Sequence, residues 1–191
     1  PLLERATEMD PMCNKALYMY RREMEQYRLR NILLMNRLFF DKIKRKLDLE
    51  LKEISLLFLV HYLFMVEGPF VLQVNVVVYS LIAGGEKLYS KVLRRNVVGF
   101  SDLEYVTLKQ KLDFLEKHNL YIISKVCDRD LRNHVAHLTF TIDDLGTVHL
   151  KGKKRKIPFN DFNPKYESLR EMVNSINVVL QVFYYRKYVR R

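Results

Sequence analysis

The chain has 191 residues, of which 49% are hydrophobic and only six are glycine, which suits one folded domain spanning 1–191 and excludes a disordered segment. Its two cysteines, Cys13 and Cys127, lie far apart, which excludes a disulfide scaffold and a CxxC zinc site and suits a reducing compartment. The net charge of +11 points toward polyanionic partners through phosphate contacts, and is equally consistent with a basic surface that keeps the protein soluble.

Pro1 to Asp10 carries Glu4, Arg5, Glu8 and Asp10 and shows no secretory signal, so a cytoplasmic location is expected. From Met12 to Leu49 the apolar spacing predicts a helix. Leu17, Tyr20, Met24, Tyr27, Leu34 and Leu38 share one face, and the run Lys42, Lys44, Arg45, Lys46 closes it. Glu50 to Val66 reads as a buried helix, and Pro69, after Glu67 and Gly68, is expected to break or start an element. Phe70 to Ala83 is valine-rich, yet its length and all-round apolarity predict a core helix, ended by Gly84-Gly85. The apolar runs 54–66 and 70–83 are each shorter than the ~20 residues a membrane-spanning helix needs, and His61, Gln73 and Asn75 interrupt them. Two core segments and no membrane partner are therefore expected.

Ser101, with Glu104 three residues on, has the pattern of a capping box, opening a helix through Leu108, Leu112, Leu115, Ile122 and Val126 toward Asp128–His137. Leu138–Ile142 and Thr147–Leu150 then alternate about Asp143-Asp144-Leu145-Gly146, a hairpin signal. The basic run Lys151, Lys153, Lys154, Arg155 and Lys156 follows. It reads either as a solvated loop or as a phosphate-binding element. A final helix from about Asn163 is expected to turn Leu169, Met172, Val173, Ile176, Val179, Leu180 and Phe183 inward. Its end, Tyr184 to Arg191, interleaves aromatics with cations, as either a base-stacking surface or a frayed amphipathic end. The predicted fold is thus an all-α bundle of about five helices, with a small β-hairpin and basic loop (138–159) inserted before the last.

Arg132-Asn133-His134-Val135-Ala136-His137 carries the chemistry. On a helix Asn133 and His137 are four apart and share a face, and Arg132 lies beside it. An imidazole, with an ordinary pKa of about 6.5, exchanges protons at neutral pH. A guanidinium neutralises charge developing on a phosphate, and an asparagine holds substrate or imidazole by hydrogen bonding. RNA brings its own nucleophile, the 2′-hydroxyl, so neither metal nor cofactor is required. Cys127, His134 and His137 fit no standard zinc spacing. His134 reads as a solvent or interface residue, or as a second proton-transfer group. By spacing alone the same residues also suit an ordinary solvated helix face.

Leu131 to His137, with the helix before it and Thr139 to Val148 after it, resembles the signature of HEPN (higher eukaryotes and prokaryotes nucleotide-binding) proteins: Arg, a polar residue, three more, then His. The likeness runs from about Leu17 to Tyr184, and only the Arg-to-His motif is diagnostic. It implies a helical bundle, a homodimer with the two motifs meeting across the interface, and a metal-independent endoribonuclease of the kind that includes toxin and defence proteins. Arg132 would stabilise the phosphate, Asn133 would assist and His137 would move protons. Which RNA is the partner, and whether an antitoxin or other protein also binds, stays open. Members of this group that lack the pair act as binding modules, so a non-catalytic RNA- or protein-binding domain is the other expectation.

Overall fold

The computed structural model describes the backbone of residues 1–26 and 49–188, and the side chains of 1–18 and 49–187. The predicted face from Tyr20 to Leu38 and the run Lys42 to Lys46 lie outside the described side chains. Leu17 is buried, as expected, together with Cys13.

Eight α-helices and five short strands are described: α1 (Leu2–Met9), α2 (Pro11–Gln26), α3 (Leu51–Met65), α4 (Val71–Ala83), β1 (Tyr89–Ser90), β2 (Arg95–Asn96), α5 (Leu108–Lys117), α6 (Tyr121–Lys125), α7 (Arg129–Ala136), β3 (Phe140–Ile142), β4 (Val148–Leu150), β5 (Lys156–Ile157) and α8 (Phe159–Tyr188). The chain is mostly helical, but the expectation of five helices and one hairpin merges separate pieces. Asp10 divides α1 from α2: its Oδ1 accepts the Met12 N–H (2.6 Å) and its Oδ2 the Phe100 N–H (2.6 Å).

The centre of the bundle is α3 and α4. They do not part at Pro69. A π-helical segment, Val66–Phe70, joins them into one 33-residue helix, Leu51–Ala83. A π turn widens the backbone by one residue per turn, which makes room for a proline that lacks an N–H. The two apolar runs are therefore one helix, with mean hydropathy 1.8 and 44% of its most apolar window buried. By length and composition alone it is long enough to cross a membrane, contrary to the reading of two short segments. It packs against α1, α5, α7 and α8, and Phe58, Leu59, Tyr62, Phe70, Val74 and Val78 lie in the core. Gly85, at φ 109, ends α4 in a conformation that glycine tolerates best.

The long helix expected from Ser101 to the Asp128–His137 segment is four pieces, a 3-10 segment followed by α5, α6 and α7. Phe100–Tyr105 is 3-10, drawn in by buried Phe100 and Leu103. Thr107, not Ser101, caps the next helix by accepting the Gln110 N–H (3.2 Å). Asn119, at φ 61, separates α5 from α6 in the left-handed conformation that asparagine tolerates. The predicted hairpin is present as β3–β4, with Phe140 opposite Leu150 and Ile142 opposite Val148. A third strand, β5, pairs with β4, so most of the basic run is the turn between two strands. A second small hairpin, β1–β2, was not foreseen. In α8, Leu169, Val173 and Leu180 are buried, Met172, Ile176 and Phe183 pack against the core, and Val179 faces out.

Candidate functional site

Helix α7 carries the Arg-to-His motif, and its position is fixed at both ends. At the N-terminus the Asp128 carboxylate accepts the Leu131 N–H (3.1 Å), a helix cap. The same carboxylate binds Lys165 of α8 (2.9 Å) and Arg155 (3.1 Å to Nη1). Burial pushes this acid up, but the hydrogen bonds from Arg155, Lys165 and Leu131 outweigh it and hold it down to about 2. The buried Tyr62 hydroxyl of α3 accepts the Asp128 N–H (2.8 Å). Leu131 and Val135, four apart, bury one face of α7. Each contributes roughly 1.5–3 kcal/mol of burial that the opposite, polar face does not need to supply.

The C-terminal turn of α7 is a Schellman motif with leucine at the position usually held by glycine. Leu138, at φ 52, donates its N–H to Val135 O (3.2 Å), and Thr139 donates to His134 O (2.9 Å). His134 folds back onto this turn. Its Nδ1 lies 3.0 Å from the Thr139 carbonyl oxygen and 2.9 Å from Thr139 Oγ1. A carbonyl only accepts, so Nδ1 carries the proton in this contact, and the half-buried His134 ring braces the turn.

Arg132 and Asn133 are brought together: Arg132 Nη1 donates to Asn133 Oδ1 (2.8 Å). Arg132 Nε donates to Glu67, on the π-helical segment between α3 and α4, which reinforces the positive charge of the guanidinium. Two of five N–H donors are thereby engaged, leaving three, both on Nη2 among them. His137 caps α7, one turn beyond Asn133, and its own N–H donates to Asn133 O (3.1 Å). Its ring is exposed and makes no hydrogen bond among the described residues. The motif thus joins a guanidinium to an amide at Arg132 and Asn133, with the exposed His137 ring at the C-terminal cap of the same short helix.

The basic run is divided in use. Lys153 pairs with Asp130 (2.8 Å), and Arg155 with Asp128 and Asp130 (3.7 Å), so these two anchor the β4–β5 turn to the first turn of α7. Lys151, Lys154 and Lys156 are exposed and carry no ion pair among the described residues. The Lys151 N–H donates to Thr139 O (2.9 Å), which sets this lysine beside the turn that follows His137. Cys127 is buried, and burial raises its thiol to about 11. With His134 turned to Thr139 and His137 exposed, these three do not converge.

Glu67 is the site residue that sequence reasoning passed over. Its signal is a lone carboxylate between two apolar runs, read there only as part of a break. The chain matches no protein-family model, no curated protein and no solved structure.

Proposed function

We propose that the chain is a HEPN-type, metal-independent endoribonuclease with Arg132, Asn133 and His137 as its site. The observation that carries this reading is the joined Arg132–Asn133 pair, with three guanidinium donors left over and an exposed imidazole one turn away. In the proposed reaction the 2′-hydroxyl attacks the adjacent phosphorus, the 5′-oxygen leaves, and a 2′,3′-cyclic phosphate and a 5′-hydroxyl remain. Arg132 takes the charge that builds on the non-bridging oxygens. His137 moves a proton from the 2′-hydroxyl or to the leaving oxygen. One imidazole serves one of these transfers at a time, so a homodimer that brings the second His137 across the interface supplies the other. Lys151, beside the His137 turn, and the exposed Lys154 and Lys156 give the RNA backbone cationic contacts.

End-labelled RNA incubated in EDTA tests the reading. Wild type is expected to cut, while Arg132→Ala and His137→Ala lose activity by about two to four orders of magnitude. Equal cutting by all three would refute the assigned site. Salt-sensitive RNA binding without cutting, unchanged in His137→Ala, would instead establish the non-catalytic binding module, the reading favoured by the basic surface alone.

A further inference from the structure

We infer that Glu67 is a positioning residue for Arg132, an inference that rests on the reading of Arg132 as the phosphate-binding group. The local backbone is unusual at this carboxylate. Met65, Val66, Pro69 and Phe70 are buried, while Glu67 and Gly68 between them are exposed. The π-helical turn thus carries one acidic side chain out of an apolar helix toward α7. Turns of this kind occur mostly as single insertions and often at functional sites. Beyond its chain neighbours and its own helix backbone, nothing among the described residues lies within 4 Å of where a Cβ on Gly68 would stand, so the space beside Glu67 is open.

The carboxylate meets Arg132 at Nε, the donor nearest the aliphatic stem, while Asn133 Oδ1 takes one donor of Nη1. Two acceptors on different nitrogens fix both the position and the plane of a guanidinium on an otherwise flexible side chain. The remaining donors, one on Nη1 and two on Nη2, are then held in a fixed plane. The Arg132 side chain is 26% exposed and that of Glu67 41%. Ion pairs this exposed contribute little to stability, which makes orientation the more consequential effect. A phosphate-stabilising group acts in the transition state, so losing its orientation lowers kcat and leaves KM nearly unchanged.

The test uses the full chain with Glu67→Ala, Glu67→Gln, Arg132→Ala and the double variant Glu67→Ala/Arg132→Ala. Expected is a drop in kcat of about 10- to 100-fold for Glu67→Ala, with KM within about threefold of wild type. Glu67→Gln, which keeps an oxygen for the Nε–H, recovers most of the rate. The double variant is no slower than Arg132→Ala, because both changes disable one group. Losses that multiply in the double variant, or a wild-type rate in Glu67→Ala, overturn the inference. Nitrogen-15 NMR of arginine side chains separates this from the nuclease reading. The Arg132 Nε–H signal, identified by its loss in Arg132→Ala, is expected to be protected from exchange in wild type and Glu67→Gln and unprotected in Glu67→Ala. If wild type cuts no RNA, the nuclease reading fails while this pattern still upholds the positioning. Equal protection in wild type and Glu67→Ala overturns the positioning whether or not RNA is cut.

Discussion

Leu138 holds a left-handed backbone conformation and leaves its side chain 81% exposed, next to the candidate general acid-base group. A non-glycine residue there costs about 1–2 kcal/mol, and the exposed side chain regains nothing from burial. Glycine removes that strain, and its greater entropy in the unfolded chain, about 0.5–1 kcal/mol, offsets part of the gain. Leu138→Gly is therefore expected to stabilise the fold by roughly 0.5 kcal/mol, read as a small rise in the midpoint of urea unfolding. A clear fall in the midpoint would mean that the leucine side chain makes a stabilising contact. No turn signal in the sequence marks this position, because the Schellman motif was formed without its usual glycine. The contact of His134 with Thr139 was not visible for the same reason: it exists only once the chain turns at Leu138. The contact between Arg132 and Asn133, by contrast, needs no tertiary turn, because the long arginine side chain reaches across to its neighbour on the same helix.

At the scale of elements, α3 shows how a polar residue is carried in an apolar helix. Neither ring nitrogen of His61 has a hydrogen-bond partner among the described residues, and the ring lies against Tyr166 of α8 (5.3 Å between centroids). Burial, and then the nearby Arg170, push the His61 imidazole down from 6.5 to about 4. The folded state thus binds fewer protons than the unfolded chain between these values, and its stability falls as pH drops. The contribution is fully present above pH 6.5 and lost as pH falls through about 4. Thermal melts of wild type are expected to show that decline, and His61→Phe, which keeps a ring against Tyr166, is expected to remove most of it. The same slope in both would place the acid sensitivity elsewhere.

The elements themselves were legible in proportion to how local their signals are. Helix α4 follows from the length and all-round apolarity of its segment, and the core of α8 and the β3–β4 turn from periodicity and turn chemistry. Gly146, at φ 73, sits where a Cβ would come within 2.6 Å of Ser55 Oγ, so the turn residue was correct and its docking on α3 was not visible. Pro69 misled because a π turn accommodates it. Ser101–Glu104 and Thr107–Gln110 offer similar capping patterns, and tertiary burial of Phe100 and Leu103 decides between them.

For the whole molecule, charge is organised by the fold rather than spread over it. Arg155 and Asp128 are 27 residues apart, and only the three-stranded sheet lets the basic run reach back to the acidic start of α7. That arrangement uses two cations of the run, Lys153 and Arg155, to hold α7 and leaves Lys151, Lys154 and Lys156 exposed and without an ion pair among the described residues. No periodicity in the sequence distinguishes these roles. The long α3–α4 helix gives α7 its buried support through Tyr62 and its charged neighbour through Glu67, so one element serves both core and site. If Arg132 and His137 cleave RNA as proposed, the 2′-hydroxyl of the substrate is indispensable, and the most direct test compares one labelled strand as RNA with the same strand fully 2′-O-methylated. The protein is expected to cut the RNA and leave the methylated strand intact; cleavage of both strands, or of neither, would contradict the proposed reaction.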